Sequence, residues 1–227
     1  MPVLCFPAIS GNLSDGDVSD TTASVKLWNI YPGYVITQNG DTINGYLMLK
    51  NYAANQDKVL FFNSPDDKKY TKKYKPKELK AYKTGPRYYE SFKFKPPSTA
   101  SSNDAKTYHF ILKVIDGPFC LYKWYYETPE QTKARLKIDK DLPLGADIDL
   151  SFSEKDLAHH YYGLTPSGEF VNLGSFKMLT NFRKNMSKLV ADDKELAEKI
   201  TNKEEGYRYF DIEKIIHEYN DWYAKNH

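Results

Sequence analysis

Only two cysteines occur in the 227 residues, Cys5 and Cys120, too few for a disulfide scaffold or for a four-cysteine zinc site. No apolar run approaches the roughly 20 residues that a transmembrane helix requires. An excess of one charge is missing as well, because 32 basic residues face 30 acidic ones and leave a net charge of +2. Disulfide-rich folds, membrane-spanning helices and an overall basic field for nucleic acid are thereby excluded. A single bridge between the two cysteines stays open.

Signatures of catalysis and cofactor binding are also absent, including phosphate-binding glycine loops, nucleophile elbows and EF-hand loops. His217 and Glu218 match the start of a zinc-protease helix motif, but position 221, where the second histidine would stand, is Asp. Cys120 lies between two apolar residues, which is typical of an inert buried thiol. We therefore predict no catalytic residue and no cofactor.

Asp156, His159 and His160 are the closest approach to a metal-binding cluster. A carboxylate and an imidazole three residues apart converge only if this segment is helical. The local pattern favours a strand, in which His159 and His160 point to opposite faces. We therefore predict no metal site.

What the chain does contain is a globular composition, with 41% hydrophobic and 27% charged residues. Residues 1–24 are interpreted as a leader. Its first ten residues carry no charge and end in Ala8-Ile9-Ser10, a small-x-small sequence typical of export-signal cleavage sites. The leader is thus either the remnant of an export signal or an ordinary chain terminus.

Alternating patterns predict strands over most of residues 25–173. Asn39-Gly40 between two such runs predicts a hairpin with a type I′ turn, and Gly45 predicts a bulge or bend. Loops are predicted at residues 96–106 and 128–150, the latter as an insertion. The strands are predicted at Tyr34–Thr37, Asp41–Leu49, Lys58–Asn63, Tyr70–Tyr74, Leu79–Thr84, Tyr88–Lys95, Thr107–Asp116, Phe119–Glu127, Leu157–Leu164 and Glu169–Leu173.

The pattern changes to helical spacing in residues 174–227, where apolar residues recur every three or four positions. Asp192 with Glu195 predicts a capping box, and Asp211 predicts the cap of a last helix. Ile212, Ile216, Tyr219 and Trp222 form one stripe of that helix, which we expect to pack on the β domain. The predicted fold class is α+β: mostly antiparallel β, as a small bent barrel or roll with further hairpins, and a C-terminal helical cap.

Three stretches carry a family resemblance: Gly33–Thr37 with Gly40–Gly45, Asp116–Tyr122, and Ile215–Asn220. From Gly33 to Tyr223 the chain resembles a family of uncharacterised, mostly exported proteins of Bacteroidetes. That resemblance implies a cell-envelope or periplasmic setting and a binding or structural role. The family has no established activity, so no catalytic residue can be carried over. A cytoplasmic location is the alternative.

The strongest local charge lies between Lys58 and Lys95, where twelve basic residues face four acidic ones. Tyrosines alternate with the lysines, a combination that suits anionic or carbohydrate polymers. Alternation places Lys72 and Lys73 on opposite faces. The predicted ligand-binding residues are Tyr70, Lys72, Tyr74, Tyr82, Arg87 and Tyr88. The structural alternative is that the lysines protect a sheet edge from aggregation.

These features favour a non-enzymatic binding or assembly module of the cell envelope, secreted or periplasmic. Its partner would be an anionic or carbohydrate polymer or another envelope protein. A hydrolase of cell-wall or carbohydrate polymers is the first alternative and requires two carboxyl groups about 5 to 9.5 Å apart. A protein that binds nucleic acid or an anionic polymer is the second alternative.

Overall fold

A computed structural model describes residues 30–49, 52–96, 106–126 and 157–227. The predicted leader, most of the loop at 96–106 and the insertion at 128–150 lie outside these residues. Cys5 and Asp156 lie outside them too. The expectations for these segments, including a bridge between Cys5 and Cys120, therefore stay predictions.

In the described residues, ten strands form one antiparallel sheet in the order β10-β9-β8-β7-β6-β5-β1-β2-β3-β4. The predicted α+β class is therefore confirmed. The sheet is not a closed barrel, because β4 and β10 stand at its two ends and do not pair with each other. The strands are β1 Ile30–Thr37, β2 Thr42–Met48, β3 Val59–Phe62, β4 Lys72–Tyr74, β5 Leu79–Thr84, β6 Arg87–Phe94, β7 Thr107–Ile115, β8 Cys120–Tyr126, β9 Ala158–Leu164 and β10 Phe170–Asn172.

Four α-helices follow the last strand, as the change in sequence pattern predicts. They are α1 Phe176–Thr180, α2 Phe182–Leu189, α3 Lys194–Thr201 and α4 Ile212–Asn226. Single 3₁₀ turns occur at Ala54–Gln56, Pro76–Glu78 and Tyr209–Asp211. No helix in the described part of the chain combines the length and the apolar character needed to cross a bilayer.

The first hairpin is confirmed, but its predicted turn type is wrong. The Gly40 N–H donates to the Thr37 carbonyl (3.0 Å), and Gly40 has a φ of 97°. A type I′ turn at Asn39-Gly40 would require a positive φ at both residues, but Asn39 does not have one. The loop is instead the three-residue kind, in which a turn is followed by one glycine in the left-handed region.

Gly45 does not mark the predicted bulge. It pairs directly with Gly33 in an unbroken register between β1 and β2. A Cβ atom at Gly45 would collide with the ring of Phe61. Glycine is required here because an aromatic ring packs on the backbone.

The β6–β10 part of the sheet is strongly curved. The rings of Phe92 and Phe170 stack with centroids 4.3 Å apart, although three strands separate β6 from β10. In a flat sheet those two strands would be about 19 Å apart, at about 4.8 Å per neighbour. The half-barrel encloses a buried aromatic cluster that includes Tyr122, Trp124 and Tyr162.

The opposite face carries two further cores. Over β1–β8 the segment with the 3₁₀ turn Ala54–Gln56 crosses the face, and the Tyr82 hydroxyl donates to the Asn55 carbonyl (2.6 Å). Over β7–β9 the helices bury their apolar stripe. As predicted, Ile212, Ile216 and Tyr219 pack on the sheet, and Trp222 is partly buried beside them.

One of the two predicted helix caps is shifted by one residue, and the other keeps its position. The N-cap of α3 is Asp193, whose carboxylate accepts from the Leu196 N–H (3.1 Å), while Asp192 accepts from the Tyr219 hydroxyl. Asp211 occupies the N-cap position of α4, but its carboxylate accepts from the Arg208 N–H (2.9 Å) and so closes the preceding 3₁₀ turn.

Candidate functional site

The lysine-rich surface lies around β4, at one end of the sheet. We name it the basic edge and define it by seven exposed lysines on β4, on the segments directly before and after β4, and on β5. Glu78 is the one acidic residue from position 68 to position 80. The basic edge consists of Lys68, Lys69, Lys72, Lys73, Lys75, Lys77 and Lys80.

Two of the nearby carboxylates accept hydrogen bonds from backbone N–H groups. Glu78 accepts from the Lys75 N–H (2.7 Å), and Asp67 accepts from the Asn63 and Ser64 N–H groups (3.1 and 2.9 Å). Within the described ranges, no carboxylate forms an ion pair with a lysine of the basic edge. The seven lysines therefore make no direct contact with a described carboxylate, and all of them are exposed to solvent.

Of the three predicted ligand-binding residues nearest β4, two reach the surface. Tyr70 precedes the strand and is 48% exposed, and Lys72 is exposed. Tyr74 is buried, with its ring edge-on to Phe61 (centroids 6.1 Å apart). The Lys72 ammonium lies 4.3 Å from the Tyr74 ring centroid, so the two residues share a face as the alternation predicts. Tyr74 is a core residue that supports Lys72 and does not offer its ring to a ligand.

Tyr82 and Arg87 are not part of the basic edge. Tyr82 is fully buried and stacks on Tyr89 with centroids 4.8 Å apart. Burial, with Tyr89 beside it, raises the pKa of the Tyr82 hydroxyl well above its usual value, so this hydroxyl stays neutral. The Arg87 guanidinium lies 3.5 Å above the ring of Tyr52 and holds the loop that crosses the sheet.

Tyr88 belongs to a row of tyrosines and lysines that runs across the sheet. The neighbouring strands β1, β5, β6, β7, β8 and β9 each contribute one residue, and each residue pairs directly with the next. In this order the row consists of Tyr34, Lys83, Tyr88, Lys113, Tyr122 and Tyr162. The sequence does not reveal this row, because its members come from six separate strands. Alternation within each strand is the only local signal, and it does not reveal which strands are neighbours.

Lys113 is the centre of a polar cluster in this row. Its side chain is 4% exposed and its ammonium contacts Glu90 (2.7 Å) and Asp116 (2.9 Å). Burial alone would lower the pKa of Lys113, but these two carboxylates outweigh burial and raise it. Burial and Glu90 raise the pKa of Tyr88. The cluster therefore holds a charged lysine and a neutral tyrosine.

The same cluster bears on the hydrolase alternative. Glu90 and Asp116 are two carboxylates in one place, but the Lys113 ammonium lies between them and the Tyr122 hydroxyl donates to Glu90. A glycosidase leaves the space between its two carboxyl groups to the scissile bond. Here that space is occupied by a side chain of the protein, so this pair gives the hydrolase no support.

An open groove of about 540 Å³ lies between α3 and α4. Three of the charged side chains that line it form ion pairs: Lys199 contacts Glu195 (2.9 Å) and Glu218 (2.8 Å). His217 is exposed and lines this groove. The groove shows charged side chains engaged with one another rather than directed toward a ligand.

The two histidines of β9 point to opposite faces, as predicted for a strand. The His159 ring contacts Tyr161, whereas the His160 ring stacks on Tyr126 with centroids 5.2 Å apart. Among the residues whose structure is described, no three His, Cys, Asp or Glu side chains gather as metal ligands would. Cys120 is buried and donates its thiol to the Gly117 carbonyl (3.1 Å).

Comparison with known proteins gives no relative: the chain matches no protein-family model, no curated protein and no solved structure. The basic edge is therefore the candidate site on its geometry and charge alone.

Proposed function

We propose that this protein is a non-enzymatic binding module of the cell envelope whose basic edge holds an anionic polymer. The observation that carries the proposal is the set of seven exposed lysines with no carboxylate partner among the described residues. Lysines held this close together repel one another, and a polyanion removes that repulsion while releasing its own counterions.

The arrangement fits an extended ligand better than a small one. The lysines of the basic edge lie on the outermost strand, on the segments that flank it and on β5, so they cover an extended surface. Tyr70 adds one exposed ring, on which a sugar ring can stack. Edge protection requires lysines on β4 itself, but it gives no reason for Lys68, Lys69 and Lys77, which lie outside that strand.

The test is sedimentation of the protein with a purified anionic cell-wall polymer at 50 mM and 300 mM NaCl. We expect retention at low salt and release at high salt. The double variant Lys72→Gln/Lys73→Gln should lower the slope of log affinity against log salt by about 1 to 2. A matched control is Lys194→Gln/Lys225→Gln, which removes one exposed lysine from α3 and one from α4, outside the basic edge.

Equal retention of both double variants, or no retention of the wild type at 50 mM NaCl, would reject the proposal. Single-stranded DNA of 20 nucleotides serves as a competitor. If it displaces the polymer at equal charge concentration, nucleic-acid binding replaces the cell-wall assignment. Tyr70→Ala separates stacking from charge, because it should weaken binding without changing the salt slope.

A further inference from the structure

A second surface, on the helical region, exposes large apolar side chains. Phe176 at the start of α1 is 84% exposed, Leu179 on the same helix 42%, and Phe210 in the last 3₁₀ turn 92%. Such high exposure is unfavourable for an isolated protein, because most of the apolar area of each phenylalanine ring contacts water.

These side chains belong to neighbouring parts of the fold. Phe182, the first residue of α2, packs edge-on against Tyr209 with ring centroids 5.7 Å apart. Phe210 follows Tyr209 directly, and only Asn181 separates α1 from α2. The α1–α2 junction and the 3₁₀ turn thus lie side by side. We name the region formed by α1, α2 and the turn Tyr209–Asp211 the helical face.

The charge on the helical face has one sign over a long stretch. Residues 175–191 contain four basic residues and no acidic residue. Lys177, Lys184 and Lys188 are exposed, as is Arg208 beside the 3₁₀ turn. Asp211, the acidic residue of that turn, is bound to the Arg208 N–H and closes the turn.

We propose that the helical face docks on the surface of a bilayer that contains anionic lipid. Exposed phenylalanine and leucine beside lysine and arginine are what peripheral membrane proteins use, because the apolar rings enter the interface while the cations meet the headgroups. A second copy of the chain is a poorer fit for this face, because two identical basic surfaces repel each other.

The helical face and the basic edge are associated with different strands of the sheet. The helices pack on β7–β9, whereas the basic edge surrounds β4 at the other end of the strand order. The membrane proposal therefore stands independently of the proposed polymer binding, and each can fail without the other.

The experiment is co-sedimentation with vesicles of phosphatidylcholine alone or of phosphatidylcholine and phosphatidylglycerol in a 7:3 ratio. We expect the wild type to sediment with the anionic vesicles. With the neutral vesicles it should remain in the supernatant. Phe176→Ser/Phe210→Ser should weaken binding to the anionic vesicles at least tenfold. Because both rings are exposed, the folded state should survive, which urea unfolding of the variant checks directly.

Two control variants make the result specific. Ile43→Ser removes an apolar side chain that is also exposed but lies on β2, and Lys72→Gln/Lys73→Gln removes charge from the basic edge. Both should bind the anionic vesicles within about twofold of the wild type. No binding by the wild type, or equal binding by the double phenylalanine variant, would overturn the proposal. So would loss of binding only when the basic edge is neutralised.

Discussion

The side-chain amide of Gln56 takes the place of a strand residue beside Tyr125. The Tyr125 N–H donates to Gln56 Oε1 and the Gln56 amide donates to the Tyr125 carbonyl, both at 2.7 Å. Pairing between β7 and β8 ends at Leu112 and Lys123, so β7 offers no partner at this level. One glutamine from the β2–β3 connection thereby satisfies two buried backbone groups where two strands separate.

The first prediction concerns this contact. Gln56→Leu keeps the side chain's bulk but leaves the Tyr125 N–H and carbonyl without the amide. We expect the free energy of unfolding to fall by about 2 to 4 kcal/mol, since an unsatisfied buried polar group costs about 1 to 3 kcal/mol. Urea unfolding measures the change.

Gln38→Leu is the matched control for that measurement. Gln38 also donates to backbone carbonyls, those of Lys77 (3.2 Å) and Leu79 (2.9 Å), but it is exposed, so water can replace it. Gln38→Leu should therefore lower the free energy of unfolding by less than about 1 kcal/mol. Similar losses at the two glutamines would contradict the role assigned to Gln56.

The contrast between Gln56 and the strands shows how far the sequence alone could lead. Alternation and turn residues predict where strands and helices lie, because those signals act over a few neighbouring positions. They do not predict that β5 lies beside β1 rather than β4, which is what aligns Lys83 with Tyr34. Nothing local to Gln56 indicates that its partner is 69 residues away.

The candidate site was predictable in part for the same reason. The density of lysines indicated the basic edge, and Lys72 and Tyr70 are indeed exposed there. Tyr74 and Tyr82 were assigned to the surface because tyrosine occurs on both sides of a strand. Which side faces the core depends on the curvature of the sheet and on the loop that crosses it, and neither is a local property.

The second prediction concerns Asn220, which uses the same device to dock α4 on the sheet. The Phe119 N–H donates to Asn220 Oδ1 (2.8 Å), and the Asn220 amide donates to the Phe119 carbonyl (3.0 Å). Asn220→Ala should lower the free energy of unfolding by about 1 to 3 kcal/mol. Asn220→Asp keeps the oxygen that accepts from the Phe119 N–H, so it should lower the free energy of unfolding by less than Asn220→Ala does.

Asn226→Ala is the control for Asn220, because its amide donates to the Trp222 carbonyl from an exposed position. It should change the free energy of unfolding by less than about 0.5 kcal/mol. If Asn220→Ala behaves like Asn226→Ala in urea unfolding, the hydrogen bonds of Asn220 do not help to hold α4 on the sheet.

The third prediction measures that stripe. Ile216 is fully buried between α4 and the sheet. Ile216→Ala should lower the free energy of unfolding by about 2 to 5 kcal/mol, through lost transfer energy and the cavity that remains. The next residue, His217, is exposed, so His217→Ala is the matched control. It should change the free energy of unfolding by no more than about 0.5 kcal/mol. A small effect at Ile216 in denaturant unfolding would show that the helix does not bury it in solution.

The last prediction is a dependence of stability on pH through Glu213. Its carboxylate accepts from the Tyr161 hydroxyl (2.7 Å) and contacts the Lys123 ammonium (3.0 Å). Burial alone would raise the pKa of Glu213, but these hydrogen bonds and the charge of Lys123 lower it below its ordinary value of 4.5. The stabilisation is therefore complete above the pKa of the unfolded chain and is lost as pH falls through the lower pKa of the folded protein.

Glu213→Gln removes this dependence. At pH 7 the variant should be less stable than the wild type by no more than about 1 kcal/mol, because the Glu213 side chain is 47% exposed and water screens its charge. The difference should shrink as pH falls below 4.5 and vanish below the folded-state pKa, where the wild-type carboxyl is protonated too. Urea unfolding at pH 7, 5 and 3 measures it, with exposed Glu205→Gln as the control. A difference that stays constant from pH 7 to pH 3 would mean that the contacts of Glu213 do not depend on its charge.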